Sequence, residues 1–257
     1  MSRGICIFAQ NNSKSNYVEQ ATVLAESICN FSDQKVSIIT NDEVKQSVFD
    51  QTITIPDDKT DYNSWRIQNR SRIYDLSPYD ETIVLDSDMI ALEDFENYWR
   101  WLDTDLYFTT QAYTFRGTVS SASNYRKQFV ANNLPNIYSA FYYFKKSATS
   151  KKFFEELVTC VDNWQAYYNV IAPIHKQDVC SIDVCSAIVS KIQNIKYPNF
   201  PIRITHMKPY FQDCDGIEKD WMNNLLFWKQ GNSYYINNIK QTGLLHYVSD
   251  DFLSYIQ

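Results

Sequence analysis

The run Ser77-Pro78-Tyr79-Asp80-Glu81-Thr82-Ile83-Val84-Leu85-Asp86-Ser87-Asp88-Met89 constrains the chain more than any other stretch. A proline and two acids make a turn, Thr82–Leu85 reads as a buried strand, and two carboxylates stand at its C-terminal end. Around this run the first 110 residues alternate strand and helix. Gly4–Ala9, Lys35–Thr40 and Gln51–Ile55 read as strands. Tyr17–Asn30 carries helical spacing at Val18, Ala21, Leu24, Ala25 and Ile28, with Asn16 as N-cap and Glu19 as its capping-box partner. Residues 43–50 and Trp65–Leu76 are also predicted to be helical. Such alternation builds an α/β fold, a central sheet flanked by helices, and ligands of open α/β sheets bind at the carboxyl ends of strands.

Farther on, Leu106–Thr110 and Tyr138–Phe144 read as strands, and Ser120–Asn133 as loop and helix. Amphipathic spacing predicts helices over 150–170 and Asp178–Ile192. Short strands follow at Ile202–Thr205, Tyr234–Ile236 and Gly243–Val248. Neither a linker nor a repeat interrupts the pattern, so one domain over residues 1–257 is expected.

Composition excludes several classes. With 5 Gly and 7 Pro, collagenous and linker-dominated chains fall away, and 44% hydrophobic residues suffice for a large core. A net charge of −6 gives no global field toward nucleic acid or membrane. Apolar runs stop far short of the roughly 20 residues of a membrane span, and Ile5–Ala9 is too short for a signal peptide. A soluble, cytoplasmic protein is expected. The six cysteines form no CxxC pair and read as reduced, mostly buried thiols.

Asp86 and Asp88 carry the chemistry. Residues two apart fall on one side of an extended chain, so both carboxylates can converge on one divalent ion. Oxygen ligands favour Mg²⁺ or Mn²⁺, whose task would be to clamp diphosphate oxygens. The polar loop Gln10–Asn16 leaves the first strand ready to present backbone amides, with Tyr17 placed to stack on a base. Arg66 and Arg70, four apart, would share a helical face, and guanidinium suits phosphate.

The stretch from Ile73 to Asp94 resembles the central segment of GT-A glycosyltransferases, especially the glycogenin and lipopolysaccharide-transferase type (family 8), with Trp99 fitting a later element. More loosely, the whole chain is similar to nucleotide-diphospho-sugar transferases of tailed phages, which would place it in a host cytoplasm. The resemblance implies a Rossmann-like nucleotide-sugar fold and a metal-dependent glycosyltransferase. Such an enzyme moves a sugar from a nucleoside diphosphate, UDP favoured, to an acceptor hydroxyl with retention. The acceptor would be a glycan, a protein or a modified DNA base. Residues 1–110 would form the nucleotide-binding half and 111–257 the donor-sugar and acceptor half.

Carried across residue by residue, the resemblance assigns Ala9, Gln10, Asn11 and Tyr17 to the base and ribose. Arg66, Arg70 and Arg72 lie where a basic residue of the family meets the diphosphate, and Asp86 and Ser87 meet the donor. Tyr138-Ser139-Ala140 aligns with the family's donor-sugar asparagine-serine-glycine triplet, so the amide is gone and Ser139 is the donor-sugar candidate. Lys208 is the candidate donor-phosphate lysine. The metal ligands are Asp86, Asp88 and a late histidine. His246 matches that histidine in location, whereas His206 has Lys208-Pro209 close behind it; His246 is favoured. Beside the reacting carbon the candidates are Asp178 and then Asp183. Two other readings stay open, a nucleotidyltransferase and an inactive sugar- or nucleotide-binding homologue. The absence of glycine in Gln10–Asn16 counts against the nucleotidyltransferase.

Overall fold

A computed structural model describes residues 1–58, 60–63, 66–120, 126–212, 225–248 and 252. In chain order the elements begin with β1 (Arg3–Phe8), α1 (Tyr17–Cys29), β2 (Val36–Ile39) and β3 (Gln51–Ile53). A 3₁₀ turn (Ile67–Arg72) leads into α2 (Ile73–Leu76), β4 (Glu81–Asp86), β5 (Met89–Ala91), α3 (Glu96–Trp101) and β6 (Leu106–Thr109). Next come α4 (Lys127–Ala131), β7 (Tyr138–Lys145), α5 (Ala148–Asp162), α6 (Trp164–Ile171) and α7 (Ile182–Ile192). The last strands are β8 (Ile204–His206), β9 (Phe227–Gln230), β10 (Ser233–Ile236), β11 (Ile239–Lys240) and β12 (Leu244–His246).

The main sheet has the order β3-β2-β1-β4-β7-β6. Its first four strands are parallel neighbours, and β7 runs antiparallel to both β4 and β6. The chain leaves β1 toward β2 on one side and returns to β4 on the other. That reversal opens a crevice at the carboxyl ends of β1 and β4, where Phe8 pairs with Asp86.

Side chains of the buried strands alternate between two cores. Cys6, Phe8, Val84, Tyr142 and Phe144 face Phe153, Leu157 and Ile188 of α5 and α7. Ile5, Ile7, Ile83, Leu85 and Phe141 face Ala21, Leu24 and Ile28 of α1 and Tyr98 of α3. The result is the expected mixed sheet between helical layers. Two small sheets accompany it, β5-β12-β8 and β11-β10-β9.

Local departures have local causes. Asn16 caps α1 as expected, its side chain accepting from the Glu19 amide. Residues 43–50 form no helix; a stretch this short with β-branched Val44 and Val48 gains more by packing those side chains and Phe49 on the core. The helix expected over Trp65–Leu76 is mostly the 3₁₀ turn, where the Ser71 hydroxyl donates back to Gln68 O at 2.8 Å; Trp65 lies outside the described residues. The helix over 150–170 breaks at Asn163, whose side chain donates to Thr159 O at 3.0 Å. The helix expected from Asp178 begins at Ile182. Cys6, Cys160, Cys180 and Cys185 are buried and Cys29 is exposed; Cys214 lies outside the described residues. No helix among the described residues is long and apolar enough to cross a membrane.

The turn before β4 is locked to β1 and β2 through Tyr79. A Cβ on Gly4 would sit 2.4 Å from its ring, and the ring cannot retreat because its hydroxyl lies 2.6 Å from Ser37 Oγ. Gly4→Ala is therefore expected to cost about 1–3 kcal/mol through overpacking, and Tyr79→Phe about 1 kcal/mol through lost hydrogen bonds. Urea unfolding reads both, and a Gly4→Ala midpoint equal to wild type would contradict the account.

Candidate metal centre and its cavity

Asp86 closes β4 and Asp88 directly precedes β5. The small sheet brings the third group: β12 pairs antiparallel with β5, His246 opposite Met89. Tyr247 N also donates to Asp88 O at 3.1 Å. His246 Nε2 then lies 3.0 Å from Asp88 Oδ1, and one ligand atom from each of Asp86, Asp88 and His246 falls within 4.8 Å of the others. Two carboxylates and an imidazole make a donor set that suits Mn²⁺ and accepts Mg²⁺.

The electrostatics are strongly coupled. Burial pushes the Asp86 carboxyl up, and Asp88 and Asp183 push the same way against the pull of Arg70. Burial also raises Asp88, but the His246 imidazole and its hydrogen bond carry the group below the usual carboxylate range. Burial alone would lower His246; Asp88 and Asp86 reverse that and raise it. His206 is pushed far down by burial, then by His246, Lys208 and Arg126. Its ring is stacked on Phe211 at 3.6 Å. Both histidines reach this region because β8 and β12 are parallel with His206 and His246 in register.

A cavity of about 660 Å³ opens here. It is lined by Gln10, Tyr17, Arg66, Arg70, Asp86, Ser87, Asp88, Ser139, Asp183, Lys208 and His246, as well as His206. Three predicted residues do not line it. Ala9 is fully buried, and Asn11 works beneath the surface, its Oδ1 accepting from Val18 N at 3.0 Å. Asp178 is exposed on the bend before α7, so the acid that enters the cavity is Asp183, in the first turn of α7.

Arg66 and Arg70 do different things. Arg66 is strapped in place by bonds to Thr60 Oγ1 at 2.8 Å, Asn11 O at 3.0 Å and the Asp58 carboxylate. It ties the segment after β3 to the end of β1. Arg70 pairs with Asp86 and donates to Ser139 O at 3.3 Å. The expected shared helical face is lost because Arg66 precedes the 3₁₀ turn that carries Arg70. Arg72 donates to Pro56 O at 2.6 Å and does not line the cavity.

Two charged residues carry no motif in the sequence: the partners of Asp58 are scattered from Gln10 to Asn69, and the carboxylate that meets Arg126 lies far along the chain. Asp58 collects Gln10 Nε2 at 2.7 Å, Asn69 Nδ2 at 2.8 Å and Arg66. Burial would raise it, yet its bonds from Thr60, Asn69 and Arg66 hold it well below the carboxylate range. Arg126 pairs with Asp183 at 2.7 Å, 57 residues away, with its guanidinium 3.8 Å over the Tyr138 ring. Ser139 N also donates to Asp183 at 2.9 Å, as does its hydroxyl. Against the upward push of burial, these partners keep the Asp183 carboxyl lowered and ionised.

The Asp88–His246 pair makes metal-free stability depend on pH. A raised His246 stabilises fully below about pH 6.5 and loses that contribution as pH rises through its folded pKa. A lowered Asp88 contributes above about pH 4 and loses it as pH falls through its own. With EDTA present, His246→Gln should lower the unfolding free energy most between about pH 5 and 6, and the gap should narrow toward about pH 9. Denaturant titrations at several pH values check this, and a gap that widens with pH contradicts it.

No protein family's sequence pattern matches the chain, and no curated protein matches it in sequence. Solved structures do match. Mouse xyloside xylosyltransferase 1, in its apo form, superposes with a TM-score of 0.57 at 9% identity, over 96% of this chain and 97% of that one. The galactosyltransferase LgtC, solved with donor and acceptor sugar analogues, gives 0.55 at 12% identity, over 96% and 87%. The bifunctional glycosyltransferase WbbM gives 0.50 at 12% identity, over 97% of this chain and 46% of its own. At such identities the likeness speaks for the fold, and the chain has the GT-A fold of these glycosyltransferases, with Asp86, Asp88 and His246 gathered at the carboxyl end of its central strands.

Proposed function

We propose that the chain is a metal-dependent glycosyltransferase that moves a sugar from a nucleoside diphosphate, UDP favoured, to an acceptor hydroxyl. The observation that carries this reading is the convergence of Asp86, Asp88 and His246 beside a 660 Å³ cavity at the reversal point of the sheet. Held by these three residues, Mn²⁺ or Mg²⁺ would stabilise the charge that develops on the departing diphosphate.

The chain's own residues supply the rest. Gln10 and Tyr17 line the β1 end of the cavity, where the base and ribose are assigned, with Arg66 fixing the loop behind them. Lys208 adds a positive charge that reaches Asp88 and is assigned to the donor phosphates. Asp183, kept ionised by Arg126 and Ser139, can only accept hydrogen bonds. It is assigned to the hydroxyls of the donor sugar next to the reacting carbon, in preference to Asp178. Retention of configuration rests on family resemblance alone.

The test is calorimetric titration of Mn²⁺ and UDP, with hydrolysis of UDP-sugars as the activity readout. Asp88→Asn should abolish metal-dependent turnover and weaken Mn²⁺ binding while the protein stays folded. Asp183→Asn should lower turnover about 100-fold or more, and Asp178→Asn should leave it unchanged. Tyr17→Ala should weaken UDP by about 1 kcal/mol or more, the scale of one stacking contact. If Asp88→Asn binds Mn²⁺ and UDP like wild type, the reading is wrong.

A further inference from the structure

We infer that His206 is a neutral hydrogen-bond donor to the phosphate oxygens of the nucleoside diphosphate, and not a ligand of the metal. The inference rests on the donor reading above and assigns a role within that site. Its basis is the way the ring is held. Lys208 N donates to His206 Nδ1 at 3.2 Å. A neutral imidazole has one acceptor nitrogen and one N–H. Because Nδ1 accepts a backbone N–H, the ring proton resides on Nε2.

The ring is also fixed in orientation. It stacks on Phe211 with centroids 3.6 Å apart and planes within 2°, and its backbone O accepts from Gln212 Nε2 at 2.6 Å. Among the described residues nothing takes the Nε2–H, although the side chain lines the cavity. A preset donor loses little freedom when a ligand arrives.

Its surroundings select the class of ligand. The His246 ring centroid is 4.4 Å away, and Lys208, Arg70 and Arg126 line the same cavity. Arg70 and Arg126 are paired with Asp86 and Asp183. An anion is therefore met at this corner by Lys208, whose backbone N already holds the His206 ring, and by a divalent ion on the neighbouring three-residue group. An imidazolium beside a bound divalent ion and Lys208 would add like-charge repulsion, whereas a neutral N–H adds a hydrogen bond without it. His206 also stands outside the group whose ligand atoms converge, Asp86, Asp88 and His246.

Two substitutions separate the ring's roles. In His206→Asn the side-chain oxygen can still accept from Lys208 N, but the distal donor is gone. In His206→Gln the amide nitrogen reaches the position of Nε2. Calorimetry with saturating Mn²⁺ should find UDP bound about tenfold more weakly by His206→Asn and within about threefold of wild type by His206→Gln, the scale of one hydrogen bond to a charged group. Uridine binding, and Mn²⁺ binding alone followed by electron paramagnetic resonance, should be unchanged in both. In the wild type, long-range ¹H–¹⁵N spectra should place the proton on Nε2, with its resonance moving when Mg²⁺ and UDP are added.

The outcomes are distinct. Wild-type protein that binds no UDP with Mn²⁺ contradicts the donor reading and this inference together. If UDP binds and His206→Asn matches wild type, this inference alone is overturned. It is also overturned if either variant loses Mn²⁺ itself, or if the wild-type ring carries its proton on Nδ1.

Discussion

Asp86 and Asp88 stand together at the buried end of β4, and like charges taken out of water are costly unless cations reach them. Much of the site follows from that demand. Arg70 comes from the 3₁₀ turn to pair with Asp86, and His246 comes from β12 to pair with Asp88. Asp183, the third carboxylate in the cavity, is answered by Arg126. With His246 protonated, each of the three carboxylates has a cation of its own, and Lys208 adds a further charge near Asp88; without the proton, Asp88 loses its partner. A divalent cation held by this group would take the place of that proton, which would link its binding to deprotonation of His246.

The scaffold makes this arrangement rigid. Parallel β1 and β4 are buried on both faces, so their register is fixed and their ends cannot slide. The three-residue strands β5, β8 and β12 would be negligible alone, yet their pairing sets His246 against Met89 and His206 against His246. A slip of one residue would turn both imidazoles to the other face. Beneath the cavity, Asp58 gathers Arg66, Gln10, Asn69 and Thr60 into one network. Charge is thus compensated from several elements while the loops around the cavity are held.

Those features also explain what could be read from the sequence. The β4 run was legible because turn, buried strand and paired carboxylates are all local in the chain. The α1 cap was legible for the same reason. Which histidine stands beside the carboxylates was not legible in the residues alone, since His206 and His246 both end short apolar strands. The family resemblance favoured His246 by its location, and the pairing of β12 with β5 is what brings it to Asp88. Asp178 and Asp183 look alike on paper, because either could open a helix; the structure starts α7 at Ile182 and places Asp183 in the cavity. Arg66 looked like a phosphate ligand, but Asp58, Thr60 and Asn11 already hold it. Arg126 gave no sign, as its partner is remote. Residues 43–50 were expected to be helical, but Val44, Val48 and Phe49 pack on the core without a helix.

The central claim is that Asp86, Asp88 and His246 together hold a divalent ion bearing a nucleoside diphosphate. The most direct measurement is a crystal structure grown with Mn²⁺ and UDP, with anomalous data collected at the manganese edge. The account predicts one anomalous peak ligated by His246 and both carboxylates, with diphosphate oxygens completing its coordination and the base at the Tyr17 end of the cavity. A peak ligated by His206 in place of His246, or UDP bound with no metal between the carboxylates, would contradict it.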